Sequence, residues 1–124
     1  MRTIGEFYKE EVLPRKGLVM RQLPTNAGET RIVKDLFGWR LCSDKECIEC
    51  RSEEEARYLK VFLDVGLIEV GVPEDNEFLK DILPKLERLK SRTFEIIDSY
   101  LETVLDRKIR KRVRHEVLAE ITKV

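Results

Sequence analysis

Phe37-Gly38-Trp39-Arg40-Leu41-Cys42-Ser43-Asp44-Lys45-Glu46-Cys47-Ile48-Glu49-Cys50-Arg51-Ser52-Glu53-Glu54-Glu55 is the stretch from which the fold is read. Its first half alternates, Phe37, Trp39 and Leu41 against Gly38, Arg40 and Cys42, and runs into the polar tip Ser43-Asp44-Lys45-Glu46, the pattern of a half-buried strand entering a hairpin. A turn centred on Asp44-Lys45 sets Cys42 opposite Cys47, Leu41 opposite Ile48, Arg40 opposite Glu49 and Trp39 opposite Cys50. Each of these pairs is chemically sensible across an antiparallel ladder. Trp39, Leu41, Ile48 and Cys50 then face the core, with Phe37 on their side, and Arg40, Cys42, Cys47 and Glu49 face away.

The second half starts a helix. Ser52-Glu53-Glu54-Glu55 has the form of a capping box, a serine N-cap with a glutamate at N3 and further carboxylates at the positive end of the helix dipole. Ala56, Leu59, Phe62 and Leu63 make its buried stripe, Tyr58 is expected to be exposed, and Gly66 suits a left-handed helix end. Leu67 to Val72 reads as a strand closed by Pro73. The expected class is therefore α+β: one small antiparallel sheet, hairpin 36–50 plus strand 67–72, packed by a helix 53–65 and followed by a long C-terminal helical pair, 75–122. Residues 1–73 would form the α+β unit, and 74–124 its helical extension within the same single domain.

Upstream the pattern is weaker. Ile4, Phe7, Tyr8 and Val12 recur at helical spacing and predict a short helix ending by Pro14. Leu18 to Leu23 suits a strand and Pro24 to Glu29 a loop. Ile32, Val33, Leu36 and Phe37 alternate poorly, leaving a helical turn or a lead-in to a strand.

Downstream, with Asp75 or Asn76 as N-cap, the residues Phe78, Leu79, Ile82, Leu83, Leu86, Leu89, Ile96, Ile97, Tyr100, Leu101 and Val104 fall in one apolar stripe. Pro84 lies off that stripe, where it would bend the helix or begin a second one. The stripe stops before Ile109, Val113, Val117 and Ile121, which occupy a nearly opposite sector, so a chain reversal with Asp106 as the new N-cap is preferred to one straight helix. Within this last segment Arg107, Lys108, Arg110, Lys111, Arg112 and Arg114 form a basic face without an intervening carboxylate. These six are the candidate nucleic-acid contacts, to DNA or RNA, since cations in a row neutralise phosphates. The alternative is internal: residues 52–77 hold eight acidic against two basic side chains and could pair with them.

The chain has 124 residues, no net charge and 39% charged side chains. That charge content exceeds the usual ~25% and, with few Asn and Gln, resembles a thermophile's composition, although a helix-rich surface produces the same bias. No apolar run reaches the ~20 residues of a membrane span, and Met1 to Glu6 lacks the apolar segment of a signal peptide, so a cytoplasmic location without membrane contact is expected.

Cys42, Cys47 and Cys50 are the only metal or redox candidates. Zinc wants four ligands, the single histidine is His115 in a cationic helix, and the hairpin register turns Cys50 away from the other two. Reduced structural cysteines are the expected state, with a Cys42–Cys47 disulfide as second reading and a metal site as third. Six scattered glycines make no nucleotide cradle, and Glu53, Glu54, Glu55, Glu74, Asp75 and Glu77 sit in first helical turns, where capping and the helix dipole account for them. No cofactor is implied. The sequence thus points to a non-enzymatic interaction module, an accessory protein or subunit in a nucleic-acid-handling system using a basic C-terminal helix. Self-association through Phe78, Leu79, Ile82, Leu86, Leu89, Ile97, Tyr100 and Val104 is also expected, and a structural homo-oligomeric subunit is the alternative.

Overall fold

The computed structural model describes residues 2–101 together with His115 and Leu118. In chain order the elements are α1 (Ile4–Phe7), continuing directly as a π-helical turn (Tyr8–Val12), then β1 (Leu18–Gln22), β2 (Arg31–Asp35), β3 (Gly38–Cys42), β4 (Cys47–Cys50), α2 (Glu53–Asp64), β5 (Glu69–Pro73) and α3 (Asn76–Leu101). The class is α+β with antiparallel pairing throughout.

The hairpin register is the expected one: Cys42 pairs with Cys47, Leu41 with Ile48, Arg40 with Glu49 and Trp39 with Cys50. The sheet around it differs. The strand at 69–73 does not join the hairpin; it pairs with β1, Val19 opposite Val72 and Arg21 opposite Val70, while β2 adds to β3 to make a separate three-stranded sheet. Local patterning is silent on this choice, because a strand carries no mark of its distant partner.

The ambiguous segment 32–37 resolves as β2 and a tight turn. Asp35 pairs with Gly38, and the Asp35 carboxylate accepts the Phe37 N–H at 2.8 Å. Leu36 and Phe37 therefore occupy a hairpin tip, 99% and 89% exposed, which corrects the placing of Phe37 on the core face. Trp39 is half-buried, with the Lys34 ammonium 5.3 Å from its ring centroid, and stands outside the core cluster that Leu41, Ile48 and Cys50 pack into.

Helix α2 begins as read, the Ser52 hydroxyl accepting the Glu55 N–H at 3.1 Å. It ends in a left-handed Gly66, φ +94°, with Gly66 N–H donating to the Leu63 carbonyl and Leu67 N–H to that of Phe62, the paired bonds of a Schellman motif. The helix forms the middle of the molecule, with Leu59, Val61, Phe62 and Leu63 buried against both sheets and α3. Tyr58 is 0% exposed, contrary to expectation. Its hydroxyl donates to the Gly71 carbonyl at 2.7 Å, and the Gly71 N–H donates to the Tyr8 hydroxyl at 2.9 Å. Two tyrosines thus satisfy the backbone groups of β5 at Gly71, and a Cβ there would come within 3.0 Å of the Tyr8 oxygen, which explains the glycine.

Asp75 caps α3 through the N–H groups of Glu77 and Phe78. The helix runs unbroken through Pro84, which is exposed, so water can satisfy the Lys80 carbonyl that a proline deprives of its donor. Leu79, Ile82, Leu83 and Leu86 enter the same core as Ile4, Phe7 and Phe62, and Ile97 is buried, whereas Ile96 is 55% exposed. Most of the apolar stripe up to Ile97 is accordingly covered by the chain itself. Leu118, not among the expected apolar positions of the last segment, also packs against the core cluster. The second member of the expected helical pair lies almost wholly outside the described residues.

Candidate anion-binding face

Arg107, Lys108, Arg110, Lys111, Arg112 and Arg114 lie outside the described residues, as do Val104 and the side chain of Tyr100. The described part of the chain carries a second basic feature, one the sequence reading passed over. Lys85, Arg88 and Arg92 follow one another at i, i+3 and i+7 on α3, within about 60° of arc at ~100° per residue. All three are exposed, and among the described residues none is within ion-pair distance of a carboxylate. The spacing was visible in the sequence, but the denser run at 107–114 masked it, and a polar face of a long helix ordinarily needs no explanation.

The three cations surround a hollow of about 200 Å³ that Arg2, Phe7 and Leu89 complete. Arg2 reaches it from the residue before the Thr3 cap of α1, whose hydroxyl accepts the Glu6 N–H at 3.1 Å. The Arg2 guanidinium lies 5.0 Å from the centroid of the Phe7 ring, and one of its nitrogens donates to Glu10 at 2.9 Å and to Glu11 at 3.0 Å. Those hydrogen bonds hold its pKa above the ordinary arginine value. Arg2 is thus oriented and more than neutralised, and the cations of the hollow that lack a carboxylate partner among the described residues are Lys85, Arg88 and Arg92. Their charges repel one another at modest energy in water and are available to an anion.

A second hollow, about 490 Å³ and wide open, is lined by Asn26, Glu29, Thr30, Lys60, Asp64, Lys90 and Phe94, among others. Here the Asp64 carboxylate accepts from Lys60 at 2.6 Å, Lys90 at 2.9 Å and the Thr30 hydroxyl. Burial would raise its pKa, yet the hydrogen bonds from Lys60, Thr30 and Lys90 outweigh burial and hold it below the ordinary carboxylate value. Both ammonium groups are taken up by Asp64, and the Glu29 carboxylate lines the same hollow, so this cluster ties α2, α3 and Thr30 together and carries little net charge for a ligand.

Glu55 departs furthest from its sequence reading. Capping logic made it the N3 carboxylate of a capping box, but its side chain is 1% exposed and sits between two arginines. Arg21 donates to it from β1 at 2.8 Å, and Arg51 donates through its Nε and its backbone N–H. Arg51 also holds the carbonyls of Pro73 and Glu74, and Arg21 that of Glu49. Every partner is a fixed protein group, which marks a structural tie between the two sheets and not a reacting carboxylate.

Cys42 and Cys47 are joined by a disulfide, which corrects the expectation of reduced thiols. The Ser43 N–H donates to the Glu46 carbonyl at 2.8 Å, so the next pair outward is a non-hydrogen-bonded one, where strands approach most closely. Its Cα atoms are 4.0 Å apart. Cys50 is a half-buried free thiol whose pKa burial pushes up to about 11, with the Glu55 charge adding to the effect. Among the described residues no three His, Cys, Asp or Glu side chains are grouped for a metal ion, and no helix is long and apolar enough to cross a membrane. No protein-family model, curated protein or solved structure matches the chain.

Proposed function

We propose that the chain is a non-enzymatic interaction module, an accessory protein or subunit of a nucleic-acid-handling system, whose basic helical surface contacts phosphates. The observation that carries this proposal is the set Lys85, Arg88 and Arg92, three cations around one hollow on α3 that have no carboxylate partner among the described residues. They belong to the helix that leads toward Arg107, Lys108, Arg110, Lys111, Arg112 and Arg114, so two basic features follow one another along the chain. With zero net charge overall, attraction to a polyanion must come from such a local patch.

The test is nucleic-acid binding as a function of salt. Binding should be measurable near about 50 mM salt and weaken as salt rises, with log affinity falling by ~0.9 per phosphate neutralised on B-DNA. Lys85→Ser, Arg88→Ser and Arg92→Ser together should flatten that slope by roughly two to three such units, and so should Lys111→Ser, Arg112→Ser and Arg114→Ser. No binding by the unmodified protein at low salt would end the nucleic-acid proposal.

The alternative, a structural homo-oligomeric subunit, loses part of its support. Leu79, Ile82, Leu86 and Ile97 were to form the association stripe, and they are buried within the chain's own fold. Phe78 and Leu89 of the same stripe are partly buried against that core, and Val104 and the Tyr100 side chain lie outside the described residues. A light-scattering mass of a dimer or more would restore the alternative.

A further inference from the structure

We infer that the hollow between α1 and α3 takes a single unpaired nucleotide of a nucleic-acid strand, its phosphate among Lys85, Arg88 and Arg92 and its base against Arg2 and Leu89; this rests on the nucleic-acid proposal. Simple phosphate neutralisation needs only cations on an accessible surface, because duplex phosphates stand out on a convex backbone. Here the cations rim a concavity, and its lining includes the apolar side chains of Leu89 and Phe7. Phe7 itself is buried, so the surface offered above it is the Arg2 guanidinium. That group is flat, backed by an aromatic ring and pinned at one nitrogen by Glu10 and Glu11. Guanidinium planes stack on unpaired bases, and a plane already held in position loses little conformational freedom when a base arrives. Arg2, being matched by two glutamates, adds little net attraction for a duplex. A cationic rim beside a stacking plane matches the two parts of a nucleotide, and a base inside a duplex has no free face to offer.

The discriminating probes are a dye-labelled oligothymidylate, an abasic strand of the same length and a hairpin duplex, all at the same low salt. The oligothymidylate should bind about tenfold more tightly than the abasic strand, since stacking of one base is worth roughly that factor or more. Arg2→Ala, which uncovers Glu10 and Glu11, should weaken the oligothymidylate severalfold more than the duplex and so remove most of this difference, whereas Arg88→Ser should weaken all three. Because Arg2 is a surface residue, its replacement leaves the core intact. Glu10→Gln with Glu11→Gln is the second variant: it frees the guanidinium and its charge, so duplex affinity should rise and the preference for the base-bearing strand should shrink. Equal affinity for thymidylate and abasic strands, unmoved by Arg2→Ala, would overturn the inference and leave the phosphate-contact proposal standing. Thymidine monophosphate competing at the strand's own concentration would also overturn it, by assigning the hollow to a free nucleotide. If no probe binds at low salt, it is the nucleic-acid proposal itself that fails.

Discussion

Arg21 of β1 and Glu55 of α2, 34 residues apart in sequence, meet at 2.8 Å on a carboxylate that is 1% exposed. With Arg51 on its other oxygen, this carboxylate joins the two-stranded and three-stranded sheets at the start of α2. A buried charge is tolerable only while its partners remain, and removing one side of such an arrangement costs roughly 3–5 kcal/mol. Glu55→Gln, which leaves two arginines facing a neutral amide, should lower unfolding stability by a figure near the lower end of that range. Glu53→Gln, two positions earlier and exposed, should change it by less than about 0.5 kcal/mol. Urea denaturation of the two variants compares them directly, and equal midpoints would show that the tie is dispensable.

The Cys42–Cys47 bond closes a loop of few residues, for which chain-entropy arguments give about 2 kcal/mol. Alkylation of the denatured protein without reductant should label Cys50 alone, and with reductant all three cysteines. Cys42→Ser with Cys47→Ser should lower stability by about that amount, provided the wild type is kept oxidised. Three labelled thiols in unreduced protein would show that the bond does not form in solution.

Asp64 sets an acid limit. Its folded pKa is depressed below the ordinary aspartate value, so its charged form is favoured in the fold. The stability it contributes is full above the unfolded pKa and is lost as pH falls through the folded one. Stability of the wild type should therefore drop below about pH 4 more steeply than that of Asp64→Asn. Parallel profiles of the two proteins in acid would refute this.

Cys50 sets an alkaline one. Its folded pKa, pushed up to about 11, lies above the ordinary thiol value of 9.0, so its contribution is full below pH 9 and declines as pH rises toward 11. Native protein at pH 8 should react with a thiol reagent far more slowly than unfolded protein. Comparable rates would mean that the thiol is neither buried nor shifted.

Leu36 and Phe37 touch almost nothing despite their size. Leu36→Ser with Phe37→Ser should leave the melting temperature unchanged within error, while Leu41→Ala, fully buried in β3, should cost roughly 2–5 kcal/mol. A large loss from the double variant would place the tip against the core after all.

What the sequence by itself determined was local. The register from Trp39 opposite Cys50 to Cys42 opposite Cys47 follows from turn position and period-two alternation, and the ends of α2 follow from Ser52 and Gly66, whose side-chain and backbone chemistry acts within five residues. Even there it misjudged Phe37, because alternation continues on paper past the point where Asp35 and Gly38 close a turn. Only the tertiary structure decided what depends on distant partners: that β5 pairs with β1, that Tyr58 is buried with its hydroxyl on the Gly71 carbonyl, and that the capping-box glutamate Glu55 is an internal tie to Arg21. Lys85, Arg88 and Arg92 show the same division at the candidate site. Their helical spacing is written in the sequence, but the hollow exists only because α1 brings Arg2 and Phe7 against α3, and contacts between elements some eighty residues apart leave no periodic trace in either.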